Sequence, residues 1–249
     1  MKLVVGTRGS NLALVQTNWV VEQLKKNNPN IEFEIKIIKT KGDLIKDLPL
    51  DKIGDKGLFV KEIEKSLLDK EIDMAVHSMK DMPSYLPEGL KFAHSPRRED
   101  PRDALIFREG YKTLEDLPQG AKIGTGSKRR KYQLLKHRPD LEIVPIRGNI
   151  ETRIKKIETE NLDGVVLAAS GLRRAGLEEK IDYYIPTDIM LPAPAQGILA
   201  LEIREDDKET EKIIDSIKDN ITKVQIDAER GFLIGVNGSC HIPMGAYCE

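Results

Sequence analysis

"KLVVGTRGSNLALVQTNWVVEQLKK" (2–26) decides the architecture. Residues 2–7 form a short apolar run that reads as a buried strand. Ser10 then suits the cap of an amphipathic helix running through Lys26. The same alternation continues along the chain. "IEFEIKIIKT" (31–40) places Ile31, Phe33, Ile35 and Ile37 on one face and Glu32, Glu34 and Lys36 on the other, the period of a half-buried strand. "GLFVKEIEKSLLDK" (57–70) spaces Phe59, Ile63 and Leu67 as one helix face. "IDMAV" (72–76), "AKIGT" (121–125), "LEIVPI" (141–146), "DGVVLA" (163–168) and "ILALEI" (198–203) read as further strands, most of them followed by helices. Such alternation implies α/β layers with largely parallel sheets.

Proline and charge punctuate the chain at "SPRREDPRD" (95–103) and "LPAPAQG" (191–197). A chain that leaves one lobe, builds a second and returns crosses twice, and a cleft between two lobes is the expected result. The length of 249 residues fits roughly one or two domains of 100–200 residues each. Hydrophobic residues are 39% and charged residues 33% of the chain, the balance of a soluble globular protein. No apolar run approaches the ~18–20 residues needed to cross a membrane. "MKLVVGTRGS" offers too short an apolar stretch for a secretory signal. With two cysteines and no export signal, a cytoplasmic location with reduced thiols is the simplest reading. A Cys240–Cys248 disulfide is the alternative.

The net charge of −1 gives no general reason to expect nucleic acid, but the charge is uneven. Basic residues gather in "GSKRRK" (126–131), "IRGNIETRIKK" (146–156) and "GLRR" (171–174), and acids dominate 202–216. Five predicted strand ends carry Ser, Thr, Arg or Lys where a helix begins: Arg8-Gly9-Ser10, "HSMKD" (77–81), "GSKRR" (126–130), Arg147-Gly148-Asn149 and "ASGLRR" (169–174). Ligands of open α/β sheets bind outside the carboxyl ends of the strands, and helix N-termini favour anions. Taken singly, Ser10, Thr125, Ser127 and Asn149 are equally well ordinary caps, and Arg129, Arg130, Arg173 and Arg174 surface charges. The fivefold recurrence favours a ligand with several carboxylates or phosphates, which Arg holds through paired hydrogen bonds. No metal site is expected.

Asp81 is the lone acid of "HSMKDMP" (77–83), beside Lys80. Nearby positive charge keeps such a carboxylate ionised. It suits a ligand with N–H donors, or a reaction that develops positive charge; a local salt bridge is the plainer alternative. The tail "VNGSCHIPMGAYCE" (236–249) sets Cys240 in a tight polar turn, a poor place for a core residue.

"GTRGSNLALVQT" (6–17), "DKIGDKGLFVKEIE" (51–64), "DMAVHSMKDMP" (73–83), "REDPRDA" (98–104), "GTGSKRR" (124–130), "RPDLEIVPIRGNIETR" (138–153), "LPAPAQGILALEIR" (191–204) and "AERGFL…GSCHIPMGAY" (228–247) resemble, in order, the porphobilinogen deaminase (hydroxymethylbilane synthase) family. The resemblance covers almost the whole chain. It implies an α/β fold of two lobes like type II periplasmic-binding-protein domains around a cleft, with a truncated small third α/β domain. On that pattern lobe 1 takes 1–97 with 198–219, lobe 2 takes 98–197, and 220–249 is the remnant that carries the cofactor cysteine.

The family's cysteine forms a thioether to dipyrromethane, and by resemblance Cys240 is that anchor. Four porphobilinogen molecules are added to this primer with loss of ammonia, and the linear tetrapyrrole is then released by hydrolysis. Carried over motif by motif, Asp81 bonds pyrrole nitrogens and stabilises the positive intermediate. Lys80, Thr125, Ser127, Arg129, Arg130, Arg147 and Gly148 hold the primer. Arg8, Ser10, Gln16, Arg147, Arg153 and Arg174 hold incoming substrate, and Lys52, Lys56 and Phe59 belong to a mobile lid. The family is commonly monomeric, with neither nucleic acid nor membrane as partner.

Gly126 departs from the family pattern, standing where a serine is common; so do Ser239 and Ala195, where glycines are common. Family members also usually continue beyond "GAY" (245–247). Two other functions compete. A solute-binding protein for a polycarboxylate shares the two-lobe plan but calls for an export signal. A nucleic-acid surface calls for aromatics among the basic clusters, whereas aromatics are only 5% of the chain and avoid them.

Overall fold

A computed structural model of the chain describes residues 1–44, 60–238 and 242–249, with the side chains of 43 and 44 left aside. The chain divides into two compact units, Met1–Arg98 with Ile198–Ser239 and Glu99–Gly197 with Cys240–Glu249. Lys52, Lys56, Phe59 and Cys240 lie outside the described residues.

Unit 1 opens with β1 (Lys2–Thr7), α1 (Asn11–Asn27) and β2 (Glu32–Ile37). Ser10 caps α1 by accepting the Ala13 amide at 3.4 Å, which satisfies one of the donors every helix start leaves open. After α2 (Lys41–Leu44) come α3 (Lys61–Leu68), β3 (Met74–Ser78) and β4 (Leu90–Phe92). The chain returns later as β10 (Leu199–Arg204), α7 (Lys208–Ile214) and α8 (Asn220–Gly235). The strands lie in the order β2-β1-β3-β10-β4. β1 pairs in parallel with β2 and β3, whereas the returning β10 runs antiparallel to β3 and β4.

Both faces of this sheet are covered. Val20, Val21 and Leu24 of α1 pack with Leu3, Val5, Met74 and Leu201 on one face. Ile63 and Leu67 of α3 pack with Ile72, Ala75 and Leu90 on the other. β2 is an edge strand, so its apolar face is only partly used. Phe33 is buried, Ile35 is half-buried, and Ile37 at the strand's end is 55% exposed.

Unit 2 repeats the plan. It contains β5 (Asp103–Phe107), β6 (Lys122–Gly124), α4 (Lys128–His137), β7 (Glu142–Val144), α5 (Ile150–Thr159), β8 (Gly164–Ala168), α6 (Ala169–Arg174) and β9 (Tyr183–Tyr184), with sheet order β7-β6-β8-β5-β9. β6 pairs in parallel with β7 and β8, and β5, the first strand after the crossing, runs antiparallel to β8. In each unit, then, three parallel strands are followed by an antiparallel strand built from a crossing segment. The three strands absent from the sequence reading, β4, β5 and β9, all sit at or beside these antiparallel positions. Burying Leu134 of α4 with Leu105, Ile123 and Val166 closes one face, and Ile157 and Leu172 with Ile106, Val165 and Leu167 close the other.

Residues 220–249 divide between the units. α8 turns Thr222, Glu229, Arg230 and Leu233 inward, and Glu229 forms two bonds with Arg98 at 2.6 and 3.1 Å. The last residues run beside Leu191 and Pro192, where the Ala246 amide donates to the Pro192 carbonyl at 3.1 Å. A side chain at Gly245 would meet Leu191 Cβ at 2.7 Å, so only glycine allows this approach. No helix among the described residues is long and apolar enough to cross a membrane.

The α3 face of unit 1 also buries charge. His77 Nε2 lies 3.0 Å from Glu202 Oε2, while Glu202 Oε1 is buried with no hydrogen-bond partner. Burial first, and then the charge of Glu202, push the nearby Glu64 carboxyl from 4.5 up to about 7; Lys61 opposes them. The folded chain therefore keeps a proton that the unfolded chain releases from about pH 4.5 upward. Stability should fall as pH rises from about 4.5 to about 7, by up to about 3 kcal/mol from this group, and level off above. Urea midpoints at pH 5, 6, 7 and 8 should show that decline flattened in Glu64→Gln; an identical slope in both proteins would contradict it.

Candidate functional site

In unit 1, Arg8 and Ser10 occupy the turn between β1 and α1, with Arg8 half-buried and engaged with a partner. Gln16 is buried one turn into α1, and its Nε2 donates to Ser78 Oγ at 3.3 Å, linking the helix to the end of β3. Thr7 and Thr17 hydroxyls meet at 2.8 Å beneath it. β3 ends in a single 3-10 turn, Met79–Asp81. The Met79 amide donates to Ile198 O at 3.0 Å and the Met82 amide to Met79 O at 3.1 Å. This turn buries Met79 and leaves Asp81 exposed. The Asp81 carboxylate forms neither a hydrogen bond nor an ion pair with any described residue; the salt bridge to Lys80 is not formed. Lys80 is half-buried and engaged elsewhere.

Unit 2 collects its candidates at the ends of β6 and β7. The Thr125 amide donates to Val144 O at 3.0 Å, and Thr125 Oγ1 accepts the Ser127 amide at 3.2 Å. Ser127 caps α4, accepting the Arg130 amide at 3.4 Å. Gly126 lies between them because a Cβ there would stand 2.7 Å from Ile146 O. Asn149 caps α5 by accepting the Thr152 amide at 2.8 Å. Gly148 precedes it with φ +127°, where a side chain would also strike Thr152. Arg153 Nε donates to Gly148 O at 2.7 Å, so the cap and its arginine are one piece. Arg147 is half-buried and engaged. Arg174, on α6, donates to Gly197 O at 2.7 Å. Burial lowers its pKa to about 10, partly offset by Glu99.

Arg129 and Arg130 have an internal partner that the sequence reading overlooked. Both guanidiniums are buried against Asp103 at the start of β5. Arg129 Nη1 bonds Asp103 Oδ2 at 2.7 Å and Leu191 O at 2.7 Å. Arg130 Nε bonds Asp103 Oδ1 at 3.0 Å, and its Nη1 bonds Val166 O at 2.9 Å. Gln196 Nε2 completes the ring, reaching Asp103 Oδ1 at 3.0 Å. Burial alone would raise the Asp103 pKa, but the charges of Arg130 and Arg129 and the bonds from Arg129 and Gln196 hold it well below the usual carboxylate range. Among the described residues, two cations share this one anion at the start of α4. The signal in the sequence was a single acid opening an apolar run, "DALIF" (103–107).

These donors suit the chemistry of an oligopyrrole. Ser127 and Asn149 start two helices at the carboxyl ends of adjacent parallel strands, and four arginines flank them, a donor set matched to carboxylates. In unit 1 the unpartnered Asp81 is an acceptor matched to N–H groups. Taken unit by unit, the residues present fit the two kinds of group that dipyrromethane carries, carboxylates for the donors of unit 2 and pyrrole N–H groups for Asp81 of unit 1.

Asp103→Asn leaves two buried guanidiniums facing a neutral acceptor, and breaking a buried ion pair costs about 3–5 kcal/mol. Urea unfolding should show a loss of that order; a change below about 1 kcal/mol would mean the arginines find other partners.

Residues 3–212 match the family described as "Porphobilinogen deaminase, dipyromethane cofactor binding domain". The porphobilinogen deaminase of Clostridioides difficile (strain 630) is 71% identical over 249 residues, covering 100% of this chain and 83% of that protein. That of Clostridium novyi (strain NT) is 62% identical, covering 100% of this chain and 84% of its own. Among solved structures, the probable amino-acid ABC transporter extracellular-binding protein ytmK of Bacillus subtilis superposes with a TM-score of 0.52 at 12% identity, covering 94% of this chain and 95% of that one. That likeness concerns the fold alone. On motifs, donor chemistry and sequence identity together, the chain belongs to the porphobilinogen deaminase family.

Proposed function

We propose that this chain acts as a hydroxymethylbilane synthase through the residues described above. It is a transferase of tetrapyrrole biosynthesis that condenses four porphobilinogen molecules with loss of ammonia and releases the linear product by hydrolysis. When bound, dipyrromethane supplies the pyrrole carbon to which substrate is added, and Cys240 is its anchor in our reading. We also place the chain in the cytoplasm as a monomer, where the Cys240 thiol stays reduced until dipyrromethane is attached to it.

Asp81 carries the proposal. It is exposed at the exit of β3, with no described group competing for its carboxylate. It accepts hydrogen bonds from pyrrole N–H groups and stabilises the positive charge left on substrate as ammonia departs. Lys80, Thr125, Ser127, Arg147 and Gly148 hold primer carboxylates. Arg129 and Arg130 hold the primer from their cluster around Asp103, at the start of α4. Arg8, Ser10, Gln16, Arg147, Arg153 and Arg174 receive the substrate's acetate and propionate. Gln16 meets substrate from a mostly buried position, and its bond to Ser78 Oγ braces the end of β3 as it does so. Lys52, Lys56 and Phe59 serve as the lid.

Intact mass spectrometry tests the anchor: the purified chain should exceed its sequence mass by a dipyrromethane adduct that Cys240→Ser lacks. An unmodified wild-type mass would instead favour a polycarboxylate-binding protein without catalysis. Asp81→Asn should keep the adduct and lose about a hundredfold to a thousandfold in kcat, and near-normal turnover would remove Asp81 from its role. Arg147→Leu should lower adduct occupancy, with full occupancy as the contrary result.

A further inference from the structure

Asp81 has no side-chain partner among the described residues, so the backbone that follows it must set its position. That backbone is held from behind by α8. Arg230 is 8% exposed, and its Nη2 donates to Pro83 O at 2.6 Å and Ser84 O at 3.3 Å. Its guanidinium carbon lies 5.1 Å from the centre of the Phe92 ring on β4. Ser84 answers in the other direction, its Oγ donating to Gly238 O at 2.8 Å just past the end of α8. Gly238 is itself tied to the helix through its amide, 2.7 Å from Leu233 O.

The arrangement is unusual in its charge. No carboxylate pairs with Arg230 among the described residues, although Glu229 beside it is bonded to Arg98. A buried cation with only carbonyl and ring partners is costly to keep, and burial depresses its pKa. Two successive carbonyls and an aromatic face match a planar guanidinium better than an ammonium. A group retained for packing alone would not need that fork.

We propose that Arg230, assisted by Ser84, is a positioning residue for the known reaction: it locks residues 82–84 to α8 and so fixes where Asp81 presents its carboxylate. The proposal rests on the role given to Asp81 above. It assigns no contact between Arg230 and substrate. Displacing a reacting group by about 1 Å can cost about a hundredfold in rate; the Met79 amide on Ile198 O ties the turn before Asp81, and Arg230 with Ser84 ties the stretch after it.

The test compares wild-type, Arg230→Met, Arg230→Lys and Ser84→Ala proteins, each loaded with its dipyrromethane. Active chains are counted by intact mass, and folding is checked by thermal melting. Expected in Arg230→Met is a fall of about tenfold or more in kcat per loaded chain, with KM for porphobilinogen unchanged. Amide exchange across 79–84 should quicken in parallel. Arg230→Lys should recover part of both, and Ser84→Ala should lose a smaller share of kcat. Unchanged kcat in folded Arg230→Met, or a change in KM alone, would overturn the proposal. Should Arg230→Met fail to fold, Ser84→Ala decides, and wild-type kcat and exchange there would count against it. A wild-type chain with neither adduct nor turnover would sink the assigned reaction. The exchange comparison would still report whether Arg230 holds the turn.

Discussion

Parallel strands all leave a sheet at the same edge, and whatever follows them is delivered together. In unit 1 this constraint brings Arg8, Ser10 and the turn of Lys80 and Asp81 to the ends of neighbouring β1 and β3. In unit 2 it brings Thr125, Ser127, Arg147 and Gly148 to the ends of β6 and β7. Residues far apart in sequence become neighbours because the hydrogen-bond ladder leaves them no alternative. The repeated topology of the two sheets means that Ser10 and Ser127 play the same part, each capping the first helix after the first of three parallel strands.

Concentrating cations at one sheet edge carries a cost, and each unit meets it differently. Unit 2 sinks Asp103 beneath Arg129 and Arg130, so that two guanidiniums share one carboxylate and their geometry is locked by the carbonyls of Leu191 and Val166. Unit 1 holds Arg230 with carbonyls and a ring, and no acid among the described residues pairs with it. It also leaves Asp81 without a partner among the described residues. A fully paired group has little left to offer a ligand, so incomplete pairing among the described residues suits groups meant to bind one.

The acids on the α3 face follow another logic. Glu64 and Glu202 are buried near one another, with His77 bonded to one Glu202 oxygen. β3, which carries His77, is the strand that delivers Asp81 four residues later. A protonated Glu64 lets α3 lie against that strand without two buried negative charges in opposition.

The order of elements was legible in the sequence because period-two and helical patterns survive without any tertiary information. Strands 2–7, 163–168 and 198–203 and the helix after Ser10 stand within a residue or two of where their patterns placed them. Caps such as Ser127 and Asn149 were legible for the same reason, since a cap bonds only its own helix. β4, β5 and β9 were not, being short strands whose pairing comes from distant partners. Nor was the part of Asp103, whose meaning depends on Arg129, Arg130 and Gln196 from two other segments. Local hydrogen bonding and side-chain periodicity are written along the chain. The pairing of buried charges across 26 or 27 residues is decided only when sheets assemble and water leaves, because only then does an unpaired charge become expensive.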